Sequence, residues 1–151
     1  MSSNGINIKN RKASFSYQLI DKFVAGIVLV GTEIKSIRNN QAHISDAYCL
    51  FIDNELWVRN LHIDEYSNNG HFNHEPKRAR KLLLNRIELN KIDSKIKEKG
   101  MSLIPLRLFS NEKGKIKLEI SLAKGKKIFD KRESIKAKDI KRDIDRLKKI
   151  K

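Results

Sequence analysis

Between Ile116 and Leu122 the chain alternates without a break. Ile116, Leu118, Ile120 and Leu122 fall on one side of an extended backbone, and Lys117, Glu119 and Ser121 on the other. A period of two fits a strand with one buried and one wet face, and it fits no helix. Such a strand needs partners, and the sequence supplies them. Leu103 to Phe109 precedes it across Ser110-Asn-Glu-Lys-Gly-Lys115, which predicts a hairpin, with Pro105 marking an edge or a bulge. Ala47 to Ile52 and Leu56 to Leu61 flank Asp53-Asn54-Glu55, where Asn54 tolerates left-handed backbone, so a second hairpin is expected. Phe15, Tyr17 and Leu19 alternate with Ser14, Ser16 and Gln18 as a half-buried strand. Phe23 to Val30, apolar on both faces, predicts a central strand with a bend or bulge at Gly26.

Helical signals are fewer. Asn85-Arg-Ile-Glu88 has the form of a capping box, Leu89, Ile92 and Ile96 make one apolar face, and Gly100 is placed to act as the C′ residue. A shorter helix is expected after Gly31-Thr32, with Ile34 and Ile37 inward and Lys35 and Arg38 outward. Many short strands with helices between them predict a mainly β fold, an OB-fold-like closed antiparallel barrel over residues 1–125.

Residues 126–151 differ in kind. The chain carries 33 Lys and Arg against 18 Asp and Glu, a net charge of +15, and this segment alone holds 12 basic and 5 acidic residues. With one aromatic, Phe129, and no Gly or Pro, it is expected to be a basic C-terminal tail, disordered when free and ordered on a charged partner. Ile140, Ile144 and Leu147 fall on one face of a helix that Ser134 could cap. Three aliphatics without Trp make a poor membrane face. A merely solubilising tail is the plainer alternative.

Several classes of protein are disfavoured. The longest apolar run, Phe23 to Gly31, is nine residues, too short for a membrane span. The opening Met1-Ser-Ser-Asn-Gly5 lacks a secretory pattern, and the single cysteine, Cys49, suits a reducing cytoplasmic setting. His71-x-x-His74 has a spacing that metals sometimes use, but its polar loop favours hydrogen bonding. With no phosphate-loop or nucleophile-elbow motif, no catalysis and no cofactor are expected.

Basic runs carry more information. Asn10-Arg11-Lys12 precedes the first expected strand; Lys77, Arg78, Arg80 and Lys81 follow Pro76; Lys124, Lys126 and Lys127 flank Gly125. Singly, each reads as surface solvation. Together, on a β body with a cationic tail, they point to nucleic acid.

The motifs Asn10-Arg-Lys-Ala13, Ala25-Gly-Ile-Val-Leu-Val-Gly-Thr-Glu-Ile-Lys-Ser36, Ile44-Ser-Asp-Ala-Tyr48, Asn73-His-Glu-Pro-Lys-Arg-Ala-Arg-Lys-Leu-Leu-Leu84 and Ala123-Lys-Gly-Lys-Lys-Ile-Phe-Asp-Lys-Arg132 resemble, in order and spacing, those of the SmpB (SsrA-binding protein) family. The resemblance implies an OB-like barrel with about three helices. It also implies binding to the tRNA-like domain of transfer-messenger RNA (tmRNA), delivery with elongation factor Tu and GTP, and trans-translation on stalled ribosomes. By motif position, Asn10, Leu83 and Lys117 are expected at the tmRNA surface, joined by Arg11, Lys12, Arg78, Arg80, Lys81 and Lys124 from the basic runs. Gly31, Glu33 and Lys35 divide between structure and RNA contact. Gly125, Lys126, Lys127, Phe129, Asp130, Lys131, Arg132 and Leu147 are expected to act in the decoding centre and the empty mRNA channel, where the tail becomes helical. Phe129 stands where relatives often carry His or Tyr, and it keeps a ring face for stacking. Val24 replaces a common Glu, so a polar contact there cannot operate, and His43 replaces a usual Asn. A monomer is expected. The alternative is a generic OB-fold ribosomal protein or RNA chaperone.

Overall fold

The computed structural model describes residues 5–66 and 72–125. In chain order its elements are β1 (Asn7–Lys9), α1 (Ala13–Ser16), β2 (Tyr17–Ile27), α2 (Gly31–Arg38), β3 (Ala42–His43), β4 (Tyr48–Ile52), β5 (Glu55–Arg59), β6 (His62–Ile63), β7 (Arg80–Leu83), α3 (Arg86–Ile96), β8 (Met101–Ser110) and β9 (Ile116–Gly125). Seven strands form one antiparallel sheet in the order β1-β8-β9-β2-β7-β5-β4, and β3 pairs with β6. The protein is thus mainly β with three helices. The closed barrel expected from the sequence is not found: β1 and β4 are open edges of the ladder order, and no ladder joins them among the described residues. The sheet does curl, bringing β4 near β8. No helix among the described residues is long and apolar enough to cross a membrane.

The two hairpins form as the patterns require. Asp53 and Asn54 both take positive φ, 53° and 66°, which makes a two-residue turn, while Glu55 already pairs with Ile52. Directly opposed residues share a face, so the register sorts the sheet. Ala25, Leu118 and Leu108 lie inside, with Phe23 and Ile120 beside them.

Two β-bulges break this parity. One falls between Leu19 and Asp21, so Leu19 opposes Ala123 while Phe23 opposes Ile120, three residues away and on the other face. Leu19 and Tyr17 thereby pack in a small outer cluster with Ala13 of α1, Ile104 and Ala123. The second falls between Pro105 and Arg107, as Pro105 predicts; Pro105 opposes Ile120 inside, whereas Arg107 opposes Glu119 outside. Gly26 is not the bulge. It pairs with both Leu83 and Lys117, and a Cβ there would meet the Leu83 Cβ at 3.3 Å, so glycine serves the close approach of β7. Phe15 lies in α1 and not in a strand.

Asn85 caps α3, its side chain accepting from the Glu88 N–H at 2.8 Å, and Ile92 is buried. Gly100 is not the C′ residue. The helix ends at Ile96, and Gly100 takes φ +78° in a later turn where the Met101 N–H donates to the Glu98 carbonyl. In α2, Ile37 is buried as expected, but Ile34 is only half-buried and Glu33 is the side chain that points in.

Candidate nucleic-acid interface

The outer face of the sheet carries two adjacent rows of opposed residues. One runs Asn7, Phe109, Lys117, Gly26, Leu83; the other runs Lys9, Arg107, Glu119, Val24. Leu83 and Val24 are large apolar side chains exposed at 52% and 49%. Lys117 stands between Phe109 and Gly26 on the polar side of β9, where the alternation placed it. The face therefore combines exposed aliphatics, an aromatic ring and cations, with Glu119 as the one acid in the two rows.

Asn10 follows β1 and braces the second bulge. Its backbone N–H donates to the Leu106 carbonyl at 2.8 Å and its side-chain amide to the Pro105 carbonyl at 2.9 Å. Its Oδ1 is buried without a partner among the described residues. Arg11 is exposed; with Lys9, Asn10, Lys22, Arg107 and Glu119 it lines a cleft of about 450 Å³. Lys12 lines a second cleft of about 400 Å³ with Tyr17, Ser45 and Gly125, so β9 ends beside the Asn10-Arg11-Lys12 run. Lys124 is exposed next to it.

The Arg78–Lys81 run does not stay together. Strand parity turns Arg80 inward opposite Val58, and its side chain has no exposed surface. Its guanidinium donates to Glu33 Oε2 at 2.7 Å and to the carbonyls of Leu61 at 2.6 Å and Pro76 at 3.1 Å. Arg78, partly exposed, donates to the same carboxylate at 2.6 Å, and Glu33 Oε1 also accepts from the Val30 N–H at the start of α2. Burial pushes the Glu33 carboxyl up, but the hydrogen bonds from Arg78, Val30 and Arg80 outweigh it and hold it below the ordinary carboxylate value. For Arg80, burial lowers the pKa while Glu33 opposes the shift. The Glu33 and Arg80 side chains expose no surface to RNA here; of the two parts expected of Glu33 the structure displays the structural one, and both residues tie α2 to the segment before β7. Lys81 points to the outer side and pairs with Glu55 at 2.7 Å.

Gly31 opens α2 at the surface, and Lys35 lies 5.3 Å from the Tyr66 ring centre. His74 is buried between Thr32, 2.9 Å from Nδ1, and the Ile63 carbonyl, 2.8 Å from Nε2. It is a hydrogen-bonded strut of the loop, while His71 lies outside the described residues. His43 faces His62 across the small β3–β6 ladder, ring centres 5.8 Å apart. Lys126, Lys127, Phe129, Asp130, Lys131, Arg132 and Leu147 also lie outside the described residues. The sequence pattern does not mark Arg107 and Phe109 as members of the outer face, and it carries no functional signal for Glu119. Only the alternation of β9 signalled its outward side, and the bulge hid the parity of Arg107.

A family model described as SmpB protein matches residues 7–150. The SsrA-binding protein of Christiangramia forsetii is 55% identical over 146 residues, covering 97% of this chain and 93% of that protein. That of Cytophaga hutchinsonii is 56% identical over 143 residues, covering 95% and 94%. A chain of a solved structure concerned with tmRNA-SmpB and the center of the bacterial ribosome matches with a TM-score of 0.69 and 38% identity, over 82% of this chain and 86% of that one. The family match spans both outer-face rows and the basic segment after Gly125, and on that ground the chain belongs to the SmpB family.

Proposed function

We propose that this chain binds tmRNA and serves trans-translation, with the outer sheet face as its surface for the tRNA-like domain. The observation that carries the reading is the pair of rows in which exposed Leu83 and Val24 lie beside Lys117, Lys9 and Arg107. Apolar contact together with cations suits a folded RNA better than a phosphate track alone. The names of the relatives, SsrA-binding protein, and the tmRNA-SmpB subject of the matching structure support it. The approach of β4 to β8 supports reading the curled sheet as an OB-like frame. Residues 126–151 would act as a separate unit, entering the decoding centre and the empty mRNA channel through Gly125, Lys126, Lys127, Phe129, Asp130, Lys131, Arg132 and Leu147. Elongation factor Tu with GTP would accompany a cytoplasmic monomer, and the protein would make and break no covalent bond.

The test is a binding competition between the full chain, a labelled tRNA-like domain of tmRNA and an excess of unlabelled tRNA. Retention of the tmRNA fragment is the expected result. Equal displacement by tRNA would favour a generic RNA chaperone.

A further inference from the structure

The geometry points to Arg107 as a stacking platform for an unpaired base of the bound RNA, with Glu119 as its positioning residue. This rests on the RNA-binding reading above and assigns a role to residues outside the sequence motifs. Three features build the platform. The bulge at Leu106, braced by the two hydrogen bonds from Asn10, turns Arg107 to the outer face. There the guanidinium carbon lies 4.0 Å from the centre of the Phe109 ring. From the neighbouring strand, Glu119 Oε1 accepts from Arg107 Nε at 3.0 Å.

An arginine held in this way is a poor phosphate ligand, because Glu119 already offsets its charge. What remains is a flat, weakly hydrated plane, fixed on one side by a ring and on one edge by a carboxylate. The Arg107 side chain keeps 37% of its surface exposed, so a second ring can be laid on it. Guanidinium planes take splayed bases in this manner, and the fixed rotamer removes part of the ordering cost of binding. Leu83 and Val24, farther along the same rows, supply apolar contact beside it.

The experiment uses the full-length protein and a transcript of the tRNA-like domain of tmRNA, with unrelated tRNA as competitor. Arg107→Lys keeps the charge and loses the plane. It is expected to weaken binding roughly 5- to 150-fold, the worth of one stacked base, with an unchanged salt slope. One unpaired base should regain reactivity toward dimethyl sulfate or carbodiimide. Glu119→Gln should expose the same base with a smaller loss of affinity, and the double variant should bind no worse than Arg107→Lys alone. Lys117→Gln is the contrast, lowering the salt slope by about one without exposing that base. Binding of Arg107→Lys within about twofold of the parent, far short of one stacked base, would overturn the inference. So would an Arg107→Gln variant that lowers the salt slope by about one, the mark of a phosphate contact. A parent protein that does not prefer the tRNA-like domain over tRNA would overturn the proposed function and this inference together, whereas the other two results strike the inference alone.

Discussion

Arg80 Nε donates to Glu33 Oε2 at 2.7 Å, and neither side chain exposes any surface. Burying two charges is costly, and the arrangement holds because almost every polar atom is used. The carboxylate accepts from Arg78, Arg80 and the Val30 N–H, and the remaining Arg80 donors reach backbone carbonyls. This knot fixes the start of α2 against the segment leading into β7, and through β7 the position of Leu83.

Removing one partner should therefore be severe. Arg80→Met leaves part of the Glu33 charge buried without its closest cation, and an uncompensated buried charge costs about 3–5 kcal/mol. Urea unfolding followed by circular dichroism should show that loss. Lys77→Ala, at an exposed position in the same run, should stay within about 0.5 kcal/mol of the parent.

Acid should act through the same carboxylate. Its folded pKa lies below the ordinary 4.5, so its contribution is fully present above that value and is lost as pH falls through the folded pKa. Thermal melts taken from pH 6 downward should decline below about pH 4.5, near the ordinary carboxylate range. Glu33→Gln should be less stable at neutral pH and should show a shallower decline.

Cys49 should be silent in the folded protein. It is buried opposite Val58 on the inner face, and burial pushes its thiol well above the ordinary range. Labelling by a thiol reagent such as Ellman's should follow global unfolding; rapid labelling at neutral pH without denaturant would contradict this packing.

Ending the chain after Gly125 should separate two activities. The outer-face rows remain, so affinity for the tRNA-like domain should fall only modestly, while tagging of stalled nascent chains should be abolished. Gel-shift titration and an in vitro tagging assay measure the two. Tagging at the parent level would refute the role proposed for residues 126–151.

Binding by the full chain should also depend steeply on salt. If it makes six to ten phosphate contacts, affinity should drop by about 10³–10⁵ between about 50 and 200 mM salt. A flat dependence would count against RNA as the partner.

Much of this fold was legible from periodicity. The alternation in β9, the turn residues Asp53 and Asn54 and the Asn85 cap are local features, and each element formed where its pattern lay. The hairpin partners of β8 and β9 followed because short connections favour adjacent antiparallel strands. Leu83 and Lys117, distant in sequence, share a row through Gly26, which local pattern alone does not reveal.

What the sequence by itself determined was which segments extend, where they turn, and that an excess of positive charge divides between a β body and residues 126–151. Which cations face outward was decided only in the tertiary structure. Arg80-Lys81-Leu82-Leu83-Leu84 puts one cation on each parity, Arg80 with Leu82 and Leu84 or Lys81 with Leu83, and the pairing of β7 with β5 and β2 selects the one that buries Arg80 and Leu82 and exposes Leu83. A bulge does the same for Arg107, shifting it by one residue onto the face opposite to that of Pro105. The physical reason is the twofold repeat of a strand: one step of register moves a side chain across the sheet, and only long-range pairing sets that step.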